Sequence, residues 1–376
     1  MKTSKYRISL ILLLIIASCA LNNSWVKAQS TPKHKQIHKV WTINRLAVYQ
    51  QQLYAFTPVI SDDIVYFTSK RGLILKVDSN NGKILDKITT NYKFSSGLAL
   101  SYHTIFVTTE NAKLIAINKN SHKILWQDDL PTIAIEAPLV ANNIVIVKSN
   151  DGQILAFNID DGKKIWIYNS NPPNLTLYNN CSMAIVNNEF LLSGFANGKI
   201  ALFNINNGII FWEQDLSANN INEKLKDINT RPLISNDKIF ITNYLGNIYC
   251  LDLFHGNILW SKTINGPISS INVNDNDLDV ASSDNNILYH FDQNSGKLIW
   301  QKTFKKEIVY LTNFDTYLLA VDVKGYIYLI DPSVVGGQVI EDTKIAPSGA
   351  VNAVNVNSYN LVLQGQNGEI SLIDIY

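Results

Sequence analysis

The sequence predicts an all-β fold: an eight-bladed β-propeller of four-stranded antiparallel blades, closed by the N-terminal strand. Three observations predict it. One short phrase recurs eight times in 376 residues, its copies stand about forty residues apart, and a Trp returns at a fixed phase of the repeat.

The phrase is a turn pair, a strand and then Asp or Asn. Its copies are Arg71-Gly72-LILKV-Asp78, Asn111-Ala112-KLIAI-Asn118, Asp151-Gly152-QILAF-Asn158, Asn197-Gly198-KIALF-Asn204, Leu245-Gly246-NIYCL-Asp252, Asn285-Asn286-ILYHF-Asp292, Lys324-Gly325-YIYLI-Asp331 and Asn367-Gly368-EISLI-Asp374. The second members of the pairs are separated by 40, 40, 46, 48, 40, 39 and 43 residues. Such a period marks radial or stacked repeats, in which no unit can bury its apolar face alone. The segments are short, rich in Ile, Val, Leu, Phe and Tyr and bounded by Asn, Asp and Gly, a strand-and-hairpin signature. The turn pairs supply the positive φ that tight hairpins demand.

In the repeat from Pro138 to Asn169, PLVA is the inner strand, IVIVKS the second and QILAFN the third. After the turn Asp160-Asp161-Gly162, KKIWIY makes the fourth. The fourth strands carry Trp126, Trp166, Trp212, Trp260 and Trp300 at one phase, which predicts packing wedges between neighbouring blades. The repeated Asp or Asn predicts a side chain bonding backbone N–H groups of the following turn, with no catalytic duty. The eighth copy ends at Tyr376 with no sequence left for a fourth strand, and HKVWTINRLAV near the N-terminus carries Trp41 in fourth-strand style. The N-terminal segment therefore completes the last blade, and closure removes exposed sheet edges.

Ahead of the propeller, Lys2, Lys5 and Arg7 precede an apolar run from Ile8 to Ala17, the proportions of an export signal and too short to span a bilayer. Ile16-Ala17-Ser18-Cys19 fits a bacterial lipoprotein cleavage box, with Cys19 acylated. Val26-Lys27-Ala28 is a rival site for ordinary signal peptidase. The organisation expected is a signal peptide over 1–18, a lipidated N-terminus and tether over 19–39, and the propeller over 40–376. Two or more acyl chains anchor a protein stably without a transmembrane helix. With Ala20 after the Cys, the address expected is the outer membrane, on its periplasmic face.

Formal net charge is +1, from 32 basic and 31 acidic residues, so nothing resembles the basic face that nucleic-acid binding requires. His34 and His38 have the spacing of helical metal ligands without a third ligand, and His103, His122, His255 and His290 are scattered. No metal or cofactor is expected. Cys181 and Cys250 fall in different repeats and read as buried small hydrophobes rather than a disulfide.

The blade phrase, with its Asn-Gly, Asp and Gly-Lys-x-x-Trp spacing, resembles the repeat of quinoprotein-type propellers. With the lipoprotein box and eight copies, the chain is similar over nearly its whole length to the BamB-like outer-membrane β-barrel assembly lipoproteins. The two long spacings, 46 and 48, place insertions at Asn169 to Asn180 and Ala218 to Thr230, side by side on one face. Asn174-Leu175-Thr176-Leu177-Tyr178 is similar to a Leu-x-Leu-Arg segment with which that family contacts the central assembly subunit BamA. The segment from Glu223 to Pro232 resembles one ending Asp-x-Asp-Thr-x-Pro that serves the same contact. The resemblance thus assigns partner binding to Leu175, Leu177, Tyr178, Asp227 and Asn229. Tyr178 stands where the family has Arg and Asn229 where it has a second Asp, which implies a less electrostatic interface. It also implies a non-catalytic scaffold that assists insertion of outer-membrane proteins, with unfolded clients meeting strand edges. The competing classes are a periplasmic scaffold or sensor propeller with another partner, and a pyrroloquinoline-quinone-dependent dehydrogenase. Against the last, the chain carries no Cys-Cys pair and no Cys-x-x-Cys-His.

Overall fold

Short apolar strands separated by Asn, Asp and Gly fold back on one another into eight four-stranded antiparallel sheets. A computed structural model gives this architecture and describes residues 35–43, 56–173, 175–176, 183–217 and 225–376. Blade 1 comprises Val59–Ser61, Ile64–Thr68, Leu73–Asp78 and Ile84–Thr89 from inner to outer strand. Blades 2 to 7 repeat that order, beginning at Phe94, Leu139, Met183, Leu233, Ile268 and Ile308. In blade 8, Ala350–Asn355, Asn360–Gly365 and Ile370–Ile375 are joined by the N-terminal strand Ile37–Ile43, with Ile37 opposite Ile375 and Ile43 opposite Ile370. That strand takes in Ile37 to Lys39, which the sequence reading assigned to the tether.

The second member of every turn pair has positive φ: the six Gly near +80°, Ala112 at 52° and Asn286 at 53°. At Gly72 the need is absolute, since a Cβ there would stand 2.1 Å from the Tyr92 carbonyl oxygen. The repeated Asx side chains accept turn N–H groups as expected; Asn158 Oδ1 takes the Asp160 amide at 2.8 Å and Asp252 Oδ1 the His255 amide at 2.7 Å.

Middle strands are buried on both faces, because alternate side chains enter different cores. Val65 and Phe67 pack with Val362 and Leu372 of blade 8, while Tyr66 packs with Ile105 and Val107 of blade 2. Eight such clusters of buried residues occupy the eight junctions. Cys250 lies in the cluster between blades 5 and 6 as a free thiol, and burial pushes its pKa up to about 12.

The Trp residues clasp neighbouring blades. Each indole N–H donates to the carbonyl of the residue after the next blade's repeated Asx, at 2.7–3.0 Å: Trp41 to Ser79, Trp126 to Ile159, Trp166 to Ile205, Trp212 to Leu253, Trp260 to Gln293 and Trp300 to Pro332. Each ring lies flat on the glycine of that same turn; a Cβ on Gly208 would stand 2.7 Å from Trp166. Immediately before each Trp the outer strand carries a β-bulge, which leaves an apolar residue half exposed, as at Val40, Leu125, Phe211 and Leu259.

Two junctions differ. At blade 7 the register puts Glu341 in the Trp position, facing blade 8, whose outer strand comes from the other end of the chain and so has no third-to-outer turn to clasp. At blade 1, Asp86 occupies the Trp position and His122 the glycine position. Lys76, paired in register with Asp86, donates to the Lys119 carbonyl, the acceptor a Trp would use. Asp86 Oδ2 receives Lys76 Nζ at 2.6 Å and His122 Nε2 at 2.9 Å. An ionic clasp replaces an aromatic one.

Two outcomes are expected. Trp166→Ala destabilises by about 3–5 kcal/mol, and Gly208→Ala also destabilises by lifting the same ring; in urea unfolding the double variant costs less than the sum, because the two changes break one contact. Burial raises the Asp86 pKa, but hydrogen bonds from Lys76, His122 and the Lys87 amide outweigh it and hold it below the usual carboxylate range. A depressed folded-state pKa contributes stability above the unfolded-state value, and that contribution is lost as pH falls through the folded value. The difference in melting temperature between the native chain and Asp86→Asn therefore shrinks on acidification below the usual carboxylate range.

Candidate functional site

Both insertions leave an outer strand and enter the next inner strand, the connection that meets the end of the blade bearing the turn pairs. The backbone shows this directly: the Leu130, Leu216, Ile264 and Phe304 amides, each just past an outer strand, donate to the carbonyls of Ala112, Gly198, Gly246 and Asn286. The insertions follow Tyr168 of blade 3 and Asp215 of blade 4, so they rise from neighbouring blades on that face.

In the first, neighbouring side chains differ in exposure. Leu175 is 53% exposed, whereas Thr176 turns inward and its hydroxyl donates to Asp227 Oδ1 of the second insertion at 2.6 Å. Leu177 and Tyr178 lie outside the described residues, as does Cys19. Leu225 to Thr230 then run as a stitched strap. The Ile228 amide donates to the Phe195 carbonyl of blade 4 at 3.4 Å, and Ile228 pairs with Asn243 of blade 5 in an isolated antiparallel bridge. Ile228 also fills the space above Gly194, where a Cβ would meet its Cγ2 at 2.5 Å.

Asp227 sits differently from the sequence expectation, which paired it with a group on a partner, and Asn229 is bonded within the propeller. Asp227 is only 4% exposed, its carboxylate joined to Thr176 and its carbonyl accepting the Tyr244 amide at 3.0 Å. A carboxylate enclosed in this way ties two loops together. Asn229 donates from Nδ2 to the Ile268 carbonyl of blade 6 at 3.1 Å and accepts the Thr242 hydroxyl at 2.9 Å. Of the described residues expected to bind, Leu175 stands exposed, Asn229 is partly exposed and Asp227 is buried. Thr176 went unnoticed, although alternation about Leu175 and Leu177 points it inward.

Other chemistry-bearing groups are engaged in packing. His290 and Asp279 form a buried pair at 2.7 Å between Nδ1 and Oδ1; Asn272 donates to the second Asp279 oxygen at 3.2 Å, and the imidazole stacks on Trp300 at 4.6 Å. Burial raises the Asp279 pKa, and the His290 bond opposes that rise. His38 stacks on Tyr376 at 4.9 Å in blade 8. Inner strands enclose an axial cavity of about 580 Å³, walled by Val59, Leu98, Leu139 and Ile185 and edged by Arg231, just past the second insertion.

Comparison with known proteins places this geometry. The sequence model of the family described as "Outer membrane protein assembly factor BamB" matches residues 70–302. The assembly factor BamB of Shewanella oneidensis is 26% identical over 294 residues, covering 75% of this chain and 72% of that protein. The BamB of Yersinia pestis is 22% identical over 96% of this chain and 97% of its own length. Among solved structures, BamB from Moraxella catarrhalis superposes with a TM-score of 0.77 at 18% identity, over 90% of this chain and 100% of that one.

Thr176→Val removes one bond to a buried carboxylate, with an expected cost of about 1–3 kcal/mol in local opening free energy. Hydrogen exchange checks it: protection falls at the Ile228 and Tyr244 amides while the blade cores keep theirs.

Proposed function

The chain belongs to the family of the outer membrane protein assembly factor BamB, and from that premise we propose that it is a non-catalytic scaffold that docks on BamA and assists insertion of outer-membrane proteins. The observation that carries the docking face is Leu175, exposed on a loop whose next residue is fastened to Asp227. A large apolar side chain held out by an ordered backbone loses little freedom on binding, which is what makes a few anchors dominate an interface. Leu177 and Tyr178, the other residues of the segment that the family resemblance assigns to binding, are proposed as its further contacts. Asp227 and Asn229 act at one remove, by holding the strap in place.

The rest of the organisation supports that role. A signal peptide over 1–18 and acylation at Cys19 put the propeller on the periplasmic face of the outer membrane, with residues 19–39 as the link. The partners are BamA through the insertion face, the membrane through the N-terminal lipid, and unfolded clients through strand edges. Scaffold chemistry is adhesion, so no cofactor takes part.

The test is a pull-down of the tagged chain from its own envelope, with Leu175→Asp, Leu177→Asp alongside. Wild type recovers BamA, and the folded double variant recovers at least about ten-fold less, since losing two anchors removes more than 1.4 kcal/mol. Recovery of an unrelated periplasmic protein in place of BamA overturns the assignment.

A further inference from the structure

On the same end of the ring as the insertions, a concavity of about 530 Å³ opens at the seam of blades 6 and 7. Lys302 comes to it from the outer strand of blade 6, Lys305 and Lys306 from the connection after that strand, and Lys324 from the turn pair of blade 7. The wall is aromatic. Tyr326 and Tyr328 stack at 6.3 Å, and Phe304, 8% exposed, meets Tyr328 edge-on at 4.9 Å. Lys344 lies over the Tyr326 ring at 5.8 Å and adds its charge at the margin.

Acidic groups are present too, and their state matters. Asp322 is 1% exposed and already accepts the Lys324 amide at 2.8 Å, the Tyr326 amide at 3.0 Å and the Tyr328 hydroxyl at 2.9 Å. Its carboxylate braces the turn that presents Lys324. Asp342 also lines the concavity, opposite Tyr328 in the sheet. Elsewhere lysines pair directly with carboxylates: Lys70 with Glu110 at 2.8 Å, Lys113 with Asp129 at 2.5 Å, Lys199 with Glu213 at 2.5 Å. Among the described residues no such bond joins Lys302, Lys305, Lys306 or Lys324 to a carboxylate. Four lysines line one hollow, and their combined field favours an anion seated among them.

We propose that this concavity binds a phosphate-bearing anion. Its volume lies in the range of small-ligand sites, about 300–1,000 Å³. Lysine acts as a point charge suited to tetrahedral, multiply charged oxyanions, whereas planar carboxylates favour the forked guanidinium of Arg, which the lining lacks. Phosphoryl oxygens sit among the ammonium groups and the Tyr326 hydroxyl, and any attached organic part lies against the aromatic wall.

The test titrates the full chain calorimetrically with sodium pyrophosphate at low salt, and separately measures its flotation on phosphatidylcholine vesicles with and without phosphatidylglycerol. Saturable pyrophosphate binding, weakened roughly ten-fold in Lys305→Gln, Lys306→Gln and by added salt, supports a free phosphate compound. Flotation that depends on phosphatidylglycerol and on the same lysines, without pyrophosphate binding, supports a lipid phosphate. Lys324→Gln, on the other blade, repeats the loss, and unchanged melting temperatures show that the variants fold. If wild type binds neither probe, if the variants bind as wild type does, or if polyglutamate alone binds, the proposal fails.

Discussion

Burial of each blade's middle strands on both faces is the constraint on which everything else rests. A strand such as Ile64–Thr68 sends alternate side chains into two different cores, so no blade has an interior until neighbours stand on both sides. The ring is the arrangement in which every blade meets that condition, and it holds only when blade 8 packs on blade 1. The Trp clasps then fix how blades sit side by side. Each indole fills space left by a glycine and satisfies a carbonyl that the neighbouring hairpin would otherwise bury unpaired.

The blade 1 junction shows which part of that clasp is indispensable. Three residues change together, Asp86 for Trp, His122 for Gly and Lys76 beside them, and the carbonyl after Asn118 still receives a donor. Aromatic packing is replaceable; pairing of the carbonyl is not. A charged donor brings its own requirement, since a buried ammonium needs a counter-charge, and Asp86 supplies it.

The fold was legible because its signals are local and repeated. Positive φ at the turn pairs, the bonded Asx side chains and the apolar runs each lie within a few residues, and eight copies reinforce one another. Trp41 at the wrong end of the chain was enough to indicate the closing strand. The insertion face was legible in outline, from two long spacings in neighbouring repeats. Its details depend on contacts between distant segments: Thr176 and Asp227 stand 51 positions apart, and an Asp in a polar loop looks the same whether it faces water or a buried hydroxyl. Asn229 was likewise assigned to partner binding, and its amide also spans blades 5 and 6. The lysine-lined hollow escaped notice because near-neutral net charge conceals local imbalance.

Closure by the N-terminal strand also has a mechanical side. Every other outer strand is bound covalently to its own blade through a hairpin, whereas Ile37–Ile43 is held to blade 8 by pairing and packing alone. Tension arriving along the chain ahead of Ile37 therefore meets the seam before any hairpin, and the element that bears the load is the one that keeps the ring shut. The propeller is a clasped belt, and whatever pulls on its leading end pulls on the buckle.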